Sequence, residues 1–311
     1  MKTLMILAAA AVATPAPKTF PAPSEIAAAA PAGDWVAIAA SDLLVMDLAG
    51  GKRVVIQLMP PPFSQGWVGN IRKLAAARWW DGTSINRVQD NYVVQWGDAT
   101  EKKALPGGLM TVLADKYLTK NSASVSTGIA FEKAARSLVR GPMRGELRSE
   151  NFLSDRYADY NIFSVGWPLG ADEQTAWPVH CYGMVGVGRN MPPNTGTGAE
   201  LYTVIGHAPR HLDRNIALVG RVISGIEHLS SLPRGTGDLG FYKTPEERTG
   251  ITSVRIGTDV AGLPRYEYLS TESASFAAYA DARANRRDPF FIVPAGGADI
   301  CNIPVPVRMA K

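Results

Sequence analysis

The stretch Ile85-Asn86-Arg87-Val88-Gln89-Asp90-Asn91-Tyr92-Val93-Val94-Gln95-Trp96-Gly97-Asp98 brings a cation, an aromatic ring and an amide close together. Arg87 stays charged and presents its donors in a rigid plane. Tyr92 supplies an apolar face, and Gln95 both donates and accepts. Asp90-Asn91 is turn chemistry between two strand-length runs, residues 84–88 and 92–96. Such a hairpin returns Tyr92 and Gln95 toward the surface that carries Arg87. The product is an apolar pocket with two polar handles, whose chemistry is hydrogen-bond donation beside an apolar wall.

Other signals fail on context. Gly183, Gly186 and Gly188 form a glycine-rich run, but the loop of Pro192-Pro193-Asn194 follows it. A phosphate-cradling loop needs a helix N-terminus at that point. His207 and His211 stand four apart with Asp213 beyond them, yet Pro209 interrupts the helix that a metal pair needs. No third ligand has recognisable spacing, so no metal is expected; these histidines read as a polar loop at a groove rim. No Gly-x-Ser-x-Gly elbow is present. The net charge of +4 is scattered, with no basic stripe interleaved with aromatics, which excludes a nucleic-acid footprint.

The elements that must position these residues are mostly short strands. Gly (30) and Pro (22) are generous among 311 residues and favour many turns. Residues 43–48 and 54–59 flank Gly50-Gly51 as a hairpin, and Pro60-Pro61-Pro62 ends its second strand. Ser64 is placed to cap a helix in which Trp67, Val68, Ile71, Leu74 and Ala75 keep helical spacing. That helix should cover one open end of a barrel. Further strand-like runs are 179–187, 201–205 and 216–223, then 252–256 and 265–269, followed by an amphipathic helix over 273–283. Residues 113–118 and 130–139 have weak helical character within an elaborated insertion at about 99–178. This pattern predicts a mainly β chain, a barrel or a sandwich.

The N-terminus has the form of an export signal: Lys2, an apolar run over 4–12, and Ala11-Val12-Ala13 as a cleavage site. Residues 14–33 then read as an Ala/Pro-rich linker. No run of ~20 apolar residues follows, so no membrane span is expected. In an oxidising compartment Cys181 and Cys301 read as one disulfide; two buried thiols are the alternative.

The hairpin stretch resembles the signature of the cyclophilin family, Phe-His-Arg-Val-Ile-x-x-Phe-Met-x-Gln-Gly-Gly-Asp, at the same spacing. Further segments match in the family's order. They are residues 54–58 with Asn70-Ile71-Arg72, Trp80-Asp81-Gly82, residues 193–202, His211-Leu212-Asp213, and Val219-Gly220-Arg221-Val222. The chain as a whole is similar to divergent periplasmic cyclophilins of proteobacteria. The resemblance implies a closed eight-stranded antiparallel barrel capped by helices over residues 34–232. The resemblance does not cover the C-terminal extension, 233–311, which is expected to pack on the barrel, stapled through Cys181–Cys301.

The resemblance also implies a peptidyl-prolyl cis–trans isomerase that needs no cofactor and acts on proline-containing segments; with the export signal, the expectation is a monomer in the periplasm acting on exported proteins. By position, Arg87 is the catalytic arginine and Gln95 orients the substrate backbone. Tyr92, Val93, Tyr202 and Leu212 line the proline pocket, Gly188 and Arg189 form its adjacent wall, and Glu200 and His211 complete the groove. The chain departs from the family at Asn86 (His), Glu200 (Gln), His211 (Trp) and Ile216 (His). Glu200 falls beside Arg87, where two roles are open: pairing with it and tying up its donors, or helping to position the guanidinium. A non-catalytic peptide-binding or chaperone module on the same barrel is the alternative function, and a structural envelope protein a third.

Overall fold

The computed structural model describes residues 20–120 and 156–310. The expected signal segment and the weakly helical run 130–139 lie outside them. The centre is an eight-stranded antiparallel sheet in the order β13-β2-β3-β12-β10-β11-β5-β4. Its strands are β2 (Leu43–Leu48), β3 (Lys52–Leu58), β4 (Ser84–Val88), β5 (Val93–Gly97), β10 (Met184–Val187), β11 (Leu201–Val204), β12 (Leu218–Ser224) and β13 (Ile251–Ile256). The two ends of this order meet. Ser84 bridges Gly250, Ile85 N–H donates to Thr249 O at 2.9 Å, and Ile251 N–H donates to Thr83 O at 2.8 Å. The sheet is therefore a nearly closed barrel, which removes the exposed edges that an open sheet would carry.

Alternation sorts the strands' side chains. Val94 and Trp96 of β5 and Leu201 of β11 join the interior core, whereas Val93, Tyr202 and Val204 form a separate small cluster. Helix α2 (Gln65–Ala76) packs against β12 and β13 and buries Trp67, Val68, Ile71, Leu74 and Ala75. It begins after Ser64 as the spacing predicts, but the Ser64 hydroxyl makes no cap. Ser64 sits in the left-handed region (φ 55°), and Gln65 Nε2 instead donates to the Met59 and Phe63 carbonyls.

Four features differ from the sequence expectation. β13 lies inside the stretch assigned to the extension, yet it completes the barrel. An irregular segment of some length separates it from β12, so strand spacing does not reveal the pairing. Within the expected insertion, β6 (Thr119–Lys120), β7 (Tyr160–Ser164), β8 (Trp167–Ala171) and β9 (Thr175–Pro178) form a four-stranded sheet in the order β6-β9-β8-β7. The run expected at 113–118 is only a 3-10 turn, Ala114–Tyr117. Part of the expected linker is helix α1 (Pro23–Ala29), with proline in its first turn and Glu25 accepting from Ala22 N–H at 2.8 Å.

The C-terminal residues pack on this body. β14 (Tyr266–Leu269) pairs with β1 (Trp35–Ile38) and β15 (Val307–Met309). The short helix α3 (Glu227–Ser230) follows β12, and α4 (Ala274–Ala284) is capped by Ser273, whose Oγ accepts from Phe276 N–H at 3.0 Å. Phe276, Tyr279, Ile300 and Ile303 join the main core, and the Phe276 ring meets Phe163 edge-on at 5.0 Å. Cys181 and Cys301 are joined in a disulfide across a sequence separation of 120.

Candidate active site

Strict alternation from Ile85 would turn Arg87 into the barrel. The ladder between β4 and β5 shifts register between Ile85 and Arg87, so Ile85 faces Trp96 and Arg87 faces Gln95. This bulge at Asn86 lets both Ile85 and Val88 stay in the core while Arg87 is half-buried outside it. Bulges of this kind re-aim a side chain at the cost of one ladder position. Across the neighbouring strands Gln95 pairs with Tyr202, and Tyr202 with Gly186. One cross-strand row thus reads Arg87, Gln95, Tyr202, Gly186. The glycine makes room for the tyrosine: a Cβ at Gly186 would stand 2.3 Å from the Tyr202 hydroxyl.

The row has an apolar and a polar half. Val93, Tyr202 and Val204 are buried together, with Tyr92 and Ile216 packed against them. Beside them Arg87 Nη1 donates to Gln95 Oε1 at 3.3 Å, Nε donates to Leu239 O at 2.7 Å, and Nη2 donates to Gln89 Oε1. The guanidinium carbon lies 5.7 Å from the Tyr92 ring centroid and 5.3 Å from that of Phe241. Burial lowers the Arg87 pKa from its ordinary value, partly opposed by Tyr92.

Glu200 does not pair with Arg87. Its carboxylate lies over Gly97 and accepts hydrogen bonds from the Gln95 side chain and the Asp98 backbone. Gln95 therefore stands between the two, accepting from Arg87 and donating to Glu200. Burial, reinforced by repulsion from Asp98 and Glu101, pushes the Glu200 pKa up to about 7. A carboxyl with a raised pKa favours the fold when neutral, and that advantage falls as pH climbs from its unfolded value toward 7. Glu200→Gln should therefore gain stability relative to wild type between pH 5 and pH 8, by about 1–3 kcal/mol. Urea unfolding of both proteins at the two pH values measures this; a difference that does not change with pH would contradict it.

The remaining expected residues are placed unevenly. Gly188 N–H donates to Glu200 O at 2.8 Å, so it adjoins the site. Arg189 is turned to backbone carbonyls, with Nε donating to Asn215 O at 3.2 Å and Nη1 to Asn190 O at 2.8 Å. Leu212 is half-buried and His211 exposed in the 3-10 turn Arg210–Leu212, and Leu212 does not join the apolar cluster; Ile216 does.

A buried polar chain beneath the row has no counterpart in the sequence reading. The Tyr202 hydroxyl is 2.8 Å from His180 Nε2, and His180 Nδ1 is 2.8 Å from Asp213 Oδ1. Asp213 Oδ2 accepts from Arg210 Nε at 2.6 Å. Every member is buried. Burial, with repulsion from Tyr92 once that phenol ionises at high pH and from Asp213, raises the Tyr202 pKa well above its ordinary value, so the phenol stays protonated and able to donate. A tyrosine at this position brings a hydroxyl that must be satisfied, and His180 satisfies it. This locks the ring that floors the apolar patch.

Residues 46–256 match the family described as cyclophilin type peptidyl-prolyl cis-trans isomerase/CLD. Among solved structures, the cyclophilin AquaCyp293 from Hirschia baltica is similar at 19% identity, covering 89% of this chain and 94% of that one, with a TM-score of 0.64. A Cryptosporidium parvum cyclophilin type peptidyl-prolyl cis-trans isomerase, solved in the presence of the dipeptide ala-pro, matches at 11% identity. It covers 69% of this chain and 98% of that one, with a TM-score of 0.39. None of the curated proteins matches the sequence. The family match spans most of the chain, including all of β3 through β13, and takes in the Arg87–Gln95 hairpin. This chain belongs to the cyclophilin-type peptidyl-prolyl cis–trans isomerase family.

Proposed function

We propose that the protein accelerates cis–trans isomerisation of X–Pro bonds in exported proteins, with Arg87 stabilising the twisted amide. The observation that carries this reading is the Arg87–Gln95 pair standing beside the buried Val93, Tyr202 and Val204 patch outside the barrel core. Amide resonance sets a rotation barrier of ~18–20 kcal/mol. Twisting removes the resonance and leaves the proline nitrogen pyramidal and basic. A guanidinium N–H directed at that nitrogen binds the twisted state better than the planar one, which lowers the barrier without covalent chemistry. The apolar patch holds the pyrrolidine ring, and Gln95 orients the peptide backbone. The test is acceleration of cis–trans exchange in a short Pro-containing peptide by wild type and its loss in Arg87→Ala at matched folding.

One observation favours a second reading, a peptide-binding module without turnover. Arg87 already donates to Leu239 O, Gln95 and Gln89. Saturable peptide binding with no acceleration by wild type would establish that alternative.

The export context is supported by the signal-like residues 1–13 and agrees with a chain that carries a disulfide. Among the described residues, no helix is long and apolar enough to cross a membrane. N-terminal sequencing of protein from its native host should find a mature start near Thr14; an intact Met1 would contradict export by this route.

A further inference from the structure

The segment after α3 reaches back to Arg87 from 152 residues away in sequence. It is tied along β4: Gly235 N–H donates to Val88 O at 2.9 Å, Tyr242 N–H to Asn86 O at 3.0 Å, and Phe241 bridges Arg87. The Tyr242 hydroxyl donates to Pro233 O at 2.6 Å, and Arg234 pairs with Asp90 at 2.9 Å, which closes the loop on itself and on the β4–β5 turn. Gly240 permits the approach, because a Cβ there would stand 2.7 Å from both Gln89 Cα and Val88 O.

Within this loop Leu239 adopts φ 55° and ψ 17°, a left-handed conformation that leucine rarely takes. The residue is 67% exposed, so burial of Leu239 does not account for the conformation. What the conformation accompanies is the placement of the Leu239 carbonyl 2.7 Å from Arg87 Nε. Strain of this kind persists where the surroundings over-determine it, and it clusters at functional sites.

We propose that Leu239, Gly240 and Phe241 form a positioning clamp that fixes the plane of the Arg87 guanidinium. The carbonyl of Leu239 takes the Nε–H, and Phe241 and Tyr92 supply two aromatic rings near the guanidinium carbon. Gln95 and Gln89 each take one terminal N–H. A guanidinium has five N–H donors. Three are engaged, so one remains on each terminal nitrogen for a substrate. A long, free arginine would have to be ordered during the reaction; a clamped one is ordered beforehand. Phe241 is a positioning residue: it acts through Arg87. The consequence for turnover rests on the isomerase reading, whereas the clamp itself does not.

The experiment compares wild type, Phe241→Ala and Phe241→Tyr in three measurements. These are kcat for a Pro-containing peptide, affinity for that peptide, and the order parameter of the Arg87 Nε–H from 15N relaxation. Phe241 is partly exposed, so its loss should spare the fold. Gly240→Ala, which pushes the loop off Gln89, is the second variant and should act in the same direction. Phe241→Ala should lower kcat about three- to tenfold, leave affinity within about twofold, and loosen the Nε–H. Phe241→Tyr should rescue both kcat and order. An Nε–H equally ordered in wild type and Phe241→Ala overturns the clamp whatever the rates do. So does an unchanged kcat in an active enzyme, or a parallel fall in kcat and affinity, which would make Phe241 a wall that touches the peptide. If wild type shows no turnover, the isomerase reading fails and the order parameter alone decides: a fall in Phe241→Ala upholds the clamp, and no fall overturns it.

Discussion

Arg87→Ala is expected to slow isomerisation of a Pro-containing peptide about a hundred- to a thousandfold while peptide affinity changes little. The size follows from losing one charge-assisted donor in a partly dry groove, worth roughly 2.5–4 kcal/mol in the transition state. The split between rate and affinity follows from where the donor acts. In the planar amide the proline nitrogen has no free lone pair to accept, so the guanidinium contributes little to ground-state binding. In the twisted amide the lone pair is available, and the same N–H becomes a stabilising contact. The apolar patch of Val93, Tyr202 and Val204, which Arg87→Ala leaves intact, would still hold the ring. Arg87→Lys should rescue little. An ammonium cannot donate to Leu239 O, Gln95 and Gln89 in the fixed plane that the guanidinium occupies. Exchange NMR on wild type, Arg87→Ala and Arg87→Lys, with folding matched by circular dichroism, measures all of this. Equal rates in wild type and Arg87→Ala would move the protein to the binding-module reading.

How much of this site is legible in sequence depends on how local the contacts are. Arg87, Tyr92 and Gln95 share one hairpin, so their spacing across a turn reports their shared surface. Val93 and Tyr202 are placed by the family resemblance, and the pairing of β5 with β11 puts them in one buried cluster. The bulge at Asn86 leaves no such mark: alternation counted from Ile85 sends Arg87 inward and counted from Val88 sends it outward, and the register with β5 decides between them. The Leu239–Arg87 contact and the His180–Asp213 pair join residues far apart along the chain, 152 and 33 positions respectively, with no periodic pattern between them. His180 looks like a lone histidine until the fold supplies Tyr202 and Asp213. Glu200 shows the reverse error. Its charge suggests an ion pair with Arg87, but neighbours in the folded row decide the pairing, and Gln95 occupies the intervening place. β8 and β9 were hidden by Pro168, Gly170 and Pro178, residues that usually argue against a strand.

Breaking the Cys181–Cys301 bond, by reduction or by paired Cys→Ser substitution, should lower unfolding stability by about 2–5 kcal/mol. The bond spans 120 positions, and in the chain-entropy account a loop of that length restricts the unfolded ensemble by close to 5 kcal/mol. The bond also sets where the C-terminal segment docks. Cys301 lies in the 3-10 turn Ile300–Asn302, whose start is capped by Asp299 Oδ1 accepting from Cys301 N–H at 2.8 Å. Cys181 follows His180 directly, so the staple joins the extension beside the buried Tyr202–His180–Asp213 chain. Apolar contacts of Phe276, Tyr279, Ile300 and Ile303 with the main core act in parallel, which is why the fold should survive reduction with a lower midpoint. The affected state is chiefly the unfolded one. Hence the free-energy loss should appear in denaturant midpoints, with the arginine row and its peptide affinity nearly unchanged in the native state. Coincident urea transitions for the oxidised and reduced proteins would show that core packing alone holds the extension. A reduced protein that loses peptide binding while still folded would show instead that the staple orders the floor beneath Tyr202.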